Sequence, residues 1–365
     1  MIDVRALLAA HLVVPERVAN VANSFLSTAE ACKRYALGRN AESATLDLLF
    51  GIEAFVDDFA PSGSIFRGKP VIPLGDVPEG AIVVNCSTSI GPVSAFRRLA
   101  ASGLVRPLNY SDLTRVCPQK VPLPGFVRES REDLELNAQK YTQIESRFSD
   151  RDSKIFLNDL ISFRLTGDPE TMKDYKIRLE EQYFEPFLSL EHSVFVDAGG
   201  FDGDTTQAFC DRCNSYQKVI LFEPSPLNLA RARVRLAPYR DIEFFEFALS
   251  DRREALSFDA GSGSASSVSA SSQSQVAATT LDDEVRHPVT VIKMDLEGWE
   301  LKALQGARRH IMEDHPALAI AAYHRASDIW RIPELIFAIR DDYDLYLRHY
   351  TEGWSETVLF FIPRS

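Results

Sequence analysis

The sequence predicts an α/β protein with a smaller α/β domain near the N-terminus and a larger doubly wound sheet toward the C-terminus, closed by an antiparallel hairpin. Three observations predict it. Short apolar runs alternate with amphipathic stretches over residues 30–115, and again from residue 194 onward. Acidic or glycine-rich turns follow several of those runs, where such a sheet presents its ligand-binding edge. The last two runs, residues 344–348 and 356–362, succeed one another without a helix between them, which implies antiparallel pairing.

In the first segment, residues 34–37 read as a strand, Gly38-Arg39-Asn40 as a turn and residues 41–50 as a helix. Residues 52–56 are a second strand closing on Asp57 and Asp58, residues 81–85 a third, and residues 93–102 a helix. Three prolines between Pro118 and Gly125 end this unit. Residues 129–190 read as a mainly helical connecting layer interrupted at Gly167-Asp168-Pro169. The domains expected are therefore 1–128, 129–190 and 191–365.

In the second segment, strand 194–196 leads into Asp197-Ala-Gly199-Gly200-Phe201-Asp202-Gly203-Asp204-Thr205 and a helix. Strand 218–222 ends at Glu223-Pro224, helix 226–236 follows, and strands 242–248 and 256–258 come next. Residues 261–276, dominated by Ser, Ala and Gly, read as a mobile loop that closes over an acceptor or is an unstructured insert. Strand 289–294 ends at Asp295-Leu296-Glu297-Gly298 before helix 299–312, and strand 317–323 ends at His324.

Composition narrows the function classes. The 365 residues suggest about two domains at roughly 150 residues each. Apolar residues make up 45% and charged residues 25%, enough for real cores. With 52 Asp and Glu against 40 Lys and Arg, the net charge of -12 argues against a general surface for nucleic acid or anionic lipid. The five cysteines (Cys32, Cys86, Cys117, Cys210, Cys213) do not form a disulfide framework, so a reducing cytoplasm is expected. Cys210 and Cys213 lack the second ligand pair of a zinc site and read as incidental. Residues 1–15 do not resemble a signal peptide, and no stretch approaches the roughly 18 apolar residues of a membrane span.

The cofactor argument starts at the first turn of the second segment. Glu223 lies 20 residues past Gly203, a spacing that suits a carboxylate accepting from ribose hydroxyls. NAD, FAD and S-adenosylmethionine satisfy this equally. Charge favours the last, because Asp197, Asp202 and Asp204 stand in this turn without a Lys or Arg. A pyrophosphate wants bare backbone N–H groups there. A sulfonium with an ammonium is the better match.

These residues resemble the FkbM-type methyltransferase family. The likeness covers roughly residues 180–363 and rests on the block 194–205, Phe222-Glu223-Pro224, Thr279-Thr280-Leu281-Asp282-Asp283, and Ile292-Lys293-Met294-Asp295-Leu296-Glu297-Gly298-Trp299-Glu300. Glu181-Gln182-Tyr183-Phe184 and Tyr323-His324 look like one branch of the family. The resemblance implies a class I, Rossmann-like seven-stranded sheet and an S-adenosylmethionine-dependent enzyme. It further implies O-methylation of a sugar, polysaccharide or natural product. The cofactor would lie on Asp197, Gly199, Gly200, Gly203, Asp204, Thr205, Glu223 and Pro224. The N-terminal unit looks like a partial Rossmann-like nucleotide-binding fold, with a docking or dimerising role as the alternative.

Methyl transfer needs alignment of nucleophile, methyl and sulfur, plus removal of a proton from a hydroxyl. Asp295, Glu297 and His324, at the ends of the next two strands, are the candidate catalytic residues. His324 is the candidate base; alternatively the three share a divalent ion that acidifies the hydroxyl, which their spacing neither supports nor excludes. Glu297 and Glu300 also suit a first helical turn. By alternation Lys293 shares the side of Asp295, in an ion pair or a pocket contact. Arg348, His349 and Tyr350 are candidates for acceptor contacts or a solvated hairpin end, and Trp299, Trp330 and Trp354 for sugar stacking or helix packing. The expected protein is a methyltransferase acting on a small-molecule or carbohydrate acceptor, without nucleic acid or a membrane span, and as a monomer or homo-oligomer. The alternatives are an inactive nucleotide-sugar-binding scaffold and a nicotinamide-dependent oxidoreductase.

Overall fold

The computed structural model describes residues 4–27, 32–258 and 274–364. The chain forms two compact units. The first comprises residues 1–138, 155–177 and 350–355, and the second residues 139–154, 178–349 and 356–365.

The first unit is built on a sheet of β1 (Arg34–Leu37), β2 (Ala54–Val56), β3 (Ile65–Phe66), β4 (Lys69–Ile72), β5 (Ile82–Asn85) and β6 (Arg106–Asn109). The order is β3-β4-β2-β1-β5-β6, and every pair is parallel except β3–β4. Alternation divides its core. Ala36, Phe55, Ile82 and Val84 pack on one face with Phe25 of helix Glu16–Leu26. Tyr35, Ala54, Val56 and Val83 pack on the other with Leu99 of helix Pro92–Ala101. Parallel strands covered on both faces must be apolar nearly throughout, which made this segment readable. Helix Ala41–Phe50 starts where expected because the Asn40 side chain accepts from the Ser43 N–H while Ser43 Oγ accepts from the Asn40 N–H.

The second unit holds a seven-stranded sheet in the order β15-β16-β14-β13-β7-β8-β9. Its strands are β7 (Val194–Ala198), β8 (Lys218–Phe222), β9 (Ile242–Phe245), β13 (Val291–Met294), β14 (Ala317–Ala321), β15 (Tyr343–His349) and β16 (Thr357–Pro363). Strands β14 to β9 run parallel, and β16 pairs antiparallel with both β14 and β15. This is the doubly wound sheet with a terminal hairpin. From β7 the chain proceeds outward through β8 and β9, then returns to the other side of β7 with β13. That reversal opens a crevice at the carboxyl ends of β7, β8 and β13, where ligands bind in such sheets.

Several local expectations are corrected. The run 242–248 splits into β9 and β10 (Ala248–Leu249), which belongs to a separate three-stranded sheet with β11 (Glu254–Phe258) and β12 (Ser274–Thr279). The expected loop therefore ends in a strand at residue 274, and its residues 261–273 lie outside the described residues. Helix 299–312 is two helices, Glu300–Gln305 and Arg308–Glu313, parted at Gly306, where a Cβ would lie 2.0 Å from the Ser250 carbonyl oxygen. Residues 173–190 carry only a 3₁₀ turn, Leu179–Glu181. Helix Asp328–Ile339 has no counterpart in the sequence expectations. No helix among the described residues is long and apolar enough to cross a membrane.

Candidate functional site

The first part of the site is the turn after β7. The Gly199 and Gly200 N–H groups both donate to the Phe222 carbonyl at 3.0 Å, tying the turn to the end of β8. Gly199 has φ +77°, and a Cβ there would lie 2.0 Å from the Asp295 carbonyl oxygen. At Gly200 a Cβ would meet the Leu221 side chain at 2.5 Å. Only glycine lets the three strand ends approach this closely.

Asp197 is fully buried and pairs in register with Lys293 across the β7–β13 ladder. Its Oδ1 lies 2.9 Å from Lys293 Nζ, and its Oδ2 accepts from Thr206 Oγ1 at 2.7 Å. Lys293 also donates to the Gly199 carbonyl at 2.9 Å. Burial opposes the lysine charge, but Asp197 and Asp295 more than offset it and hold its pKa above the ordinary value. Of the two readings of Lys293, the buried ion pair is the one realised. Asp197 shapes the turn from within and has both oxygens engaged.

Asp202 pairs with Arg235 at 2.6 Å. Asp204 is exposed at the first position of helix Asp204–Arg212, Gly203 before it has φ +86°, and Thr205 is half-buried. The turn therefore lacks a cation in its own sequence but receives two, Lys293 and Arg235, from elsewhere. The turn is therefore less negative than its sequence suggests: among the described residues, Asp204 and Glu223 are the carboxylates here without an ion-pair partner.

Glu223 sits at the end of β8 with Pro224 after it. Its carboxylate accepts from the Phe201 N–H at 3.1 Å, the Ser225 N–H at 2.9 Å and Asn228 Nδ2 at 3.4 Å. Burial pushes its pKa above the ordinary value against those donors and the Lys293 charge.

The second part of the site lies beside the first, at the ends of β13 and β14. Glu297 and Gly298 turn the chain with φ +53° and +90°. Glu300, buried in the first turn of helix Glu300–Gln305, accepts from the Leu296 N–H at 2.7 Å. His324 reaches the same point from β14. Its Nε2 is 3.4 Å from both Asp295 Oδ1 and Glu297 Oε2, and its Nδ1 is 3.0 Å from Glu300 Oε1. These are close ion-pair separations, yet neither ring nitrogen makes an aligned hydrogen bond. Burial opposes the charged imidazole, but Glu297, Glu300 and Asp295 outweigh it and hold its pKa well above the ordinary value.

Sequence reasoning missed four members of this cluster. Tyr183 donates to Asp295 Oδ2 at 2.8 Å, and the Tyr323 hydroxyl lies 3.2 Å from the same oxygen. Burial, then the Asp295 charge, raises both phenol pKa values. Gln182 donates to Glu356 Oε2 at 2.8 Å, and burial with Asp295 nearby pushes the Glu356 carboxyl up to about 7. The family-like segments 181–184 and 323–324 were the available signal for Gln182 and both tyrosines. Glu356 had none.

Other candidates are engaged elsewhere. Arg348 is buried, 2.6 Å from Asp150 and 3.7 Å from Glu185. His349 Nδ1 is 2.9 Å from Thr357 Oγ1, and Tyr350 is fully buried, so this end is neither a free polyol-binding surface nor a solvated hairpin tip. Trp299 packs on Ala248, Leu256 and Ala278, and Trp354 stacks near Phe126. Lys140 Nζ lies 5.7 Å from the Trp330 ring centroid. In the first unit, Glu352 accepts from the Ser94 N–H at 2.7 Å and Ser94 Oγ at 2.6 Å at the start of helix Pro92–Ala101. The protein's own carboxylate thus caps that helix N-terminus.

Comparison with known proteins matches residues 197–351 to the family described as the methyltransferase FkbM domain. Among solved structures, methyltransferase FkbM from Methylobacillus flagellatus KT is 25% identical with a TM-score of 0.74, the match covering 98% of this chain and 96% of that one. Fibrillarin from Aeropyrum pernix, solved with natively bound S-adenosyl-L-methionine, is 12% identical with a TM-score of 0.34, over 50% of this chain and 71% of that one. No curated protein matches.

Proposed function

From the match of residues 197–351 to the methyltransferase FkbM domain, we propose that this protein transfers a methyl group from S-adenosylmethionine to a hydroxyl of a carbohydrate or related polyhydroxylated acceptor. One observation carries the reading. The glycine turn after β7, the Glu223 carboxylate after β8 and the acidic cluster after β13 stand at the carboxyl ends of three neighbouring strands, where the strand order reverses. A donor lying across the first two would present its methyl toward the third.

In this reading Gly199, Gly200 and Gly203 let the donor approach the backbone, and Glu223 accepts from ribose hydroxyls with the lone pairs its three donors leave. Asp197, with Lys293, is a positioning residue. Asp204, Thr205 and Pro224 line the approach. The acceptor oxygen attacks the methyl carbon, the C–O bond forms, and the C–S electron pair returns to sulfur as a thioether. The hydroxyl proton passes to the Asp295, Glu297 and His324 cluster. The carboxylates around His324 favour its charged form, which leaves the carboxylates of the cluster to accept the proton. An anionic crevice suits a neutral hydroxyl-bearing acceptor over a phosphorylated one.

Titration calorimetry tests the donor reading. S-adenosylhomocysteine is expected to bind and NAD and nucleotide-sugars to give no heat; heat from NAD alone would refute it. Labelled methyl transfer into sugar and polysaccharide extracts tests the acceptor class.

A further inference from the structure

We infer that Asp295, Glu297 and His324 bind a divalent cation of the Mn²⁺ type. The inference deepens the reading above, because the ion would sit where the acceptor hydroxyl is placed, but the site itself is argued from ligand geometry alone. One carboxylate oxygen from each acid and one imidazole nitrogen lie within 4.8 Å of one another, the only such grouping among the described residues.

Two features go beyond a cluster of acids. The His324 side chain is only 8% exposed, points into the cluster, and has both ring nitrogens without an aligned hydrogen bond. A buried imidazole so placed is an unused ligand. Its Nε2 is 3.4 Å from Asp295 Oδ1 and 3.4 Å from Glu297 Oε2, separations at which neighbouring donors can share one ion.

The surroundings orient each ligand. Tyr183 engages Asp295 Oδ2 while Oδ1 faces His324. Glu300 Oε1 lies 3.0 Å from Nδ1, on the far side of the ring from Nε2. A carboxylate there favours the proton staying on Nδ1 when Nε2 gives up its own to ligate. Two carboxylates and one imidazole, with no thiolate, fit Mn²⁺ better than Ca²⁺, which takes oxygen ligands, or the thiolate-preferring metals.

The test is Mn²⁺ binding to the purified full chain, free of other metals, followed by the electron paramagnetic resonance signal of free Mn²⁺. One ion per chain is expected. Glu297→Gln and His324→Ala should each weaken binding at least about tenfold, and Glu300→Gln about tenfold through His324. Glu132→Gln, on an exposed helix surface, should leave it unchanged. S-adenosylhomocysteine calorimetry on the same metal-free samples checks that the variants fold and judges the donor reading separately. Absence of stoichiometric binding at millimolar Mn²⁺, or binding undiminished in both folded Glu297 and His324 variants, would overturn the site.

Discussion

Replacing Lys293 by Met tests whether the turn after β7 is held by a buried charge pair. The Asp197 side chain is fully buried and that of Lys293 only 3% exposed, so the substitution strands a carboxylate with no water to solvate it. Removing one partner of such a pair costs about 3–5 kcal/mol. The Gly199 carbonyl also loses its donor, adding about 1 kcal/mol. The sum is about 4–6 kcal/mol in the second unit. Adding Asp197→Asn removes the stranded charge while keeping an acceptor for Thr206, so the double variant should recover at least about 2 kcal/mol of the loss. Urea unfolding read by hydrogen exchange at the β7 and β13 amides isolates the second unit. A loss below about 1 kcal/mol in Lys293→Met, or a double variant as unstable as the two single losses added together, would refute the reasoning.

Two further outcomes follow from the same geometry. In the proposed reading the ionised Glu223 accepts from both ribose hydroxyls, and its folded-state pKa is raised; S-adenosylhomocysteine affinity should therefore decline on acidification from a higher pH than an ordinary glutamate would cause. The raised value also means the folded state takes up this proton more readily than the unfolded one, so this group's contribution to stability falls as pH rises through that window. Glu223→Gln should weaken binding about tenfold and abolish that part of the pH dependence; a calorimetric profile identical to wild type would contradict the assignment. Gly353→Ala would place a Cβ 2.0 Å from the Ser89 carbonyl oxygen, and overpacking of this kind costs about 1–3 kcal/mol. The first unit should melt earlier while donor affinity is retained, and an unchanged melting temperature would contradict the packing.

The sequence disclosed most of the strands because parallel strands buried on both faces are almost wholly apolar, as in Ile82–Asn85 and Lys218–Phe222. It hid β3, β4 and β6, which are short and carry Pro70, Lys69, Arg106 and Pro107. The break at Gly306 was invisible because it comes from contact with Ser250, remote in sequence. The same division runs through the site. Glu223 and Asp295 follow strands directly and His324 stands three residues past the end of β14, so all three were legible from position. Tyr183 and Glu356 join Asp295 from more than 50 residues away on either side, so no local pattern could place them.

The charge of the crevice shows why spacing alone misjudges electrostatics. Read along the chain, the turn after β7 holds three carboxylates and no cation. In space Lys293 cancels Asp197 and Arg235 cancels Asp202, which removes most of the repulsion a pyrophosphate would meet. Two negative groups, Asp204 and Glu223, persist beside the turn, while at the ends of β13 and β14 the charged form of His324 offsets part of Asp295 and Glu297. At an effective dielectric of 20 and a separation of about 7 Å, each such carboxylate disfavours a unit negative charge by about 2.4 kcal/mol and favours a positive one equally. Two of them would separate a sulfonium from a phosphate by several kcal/mol even after the internal pairs are discounted. In the proposed reading the preference for a cationic donor therefore rests on Glu223 and Asp204, while Asp197, paired with Lys293, shapes the turn.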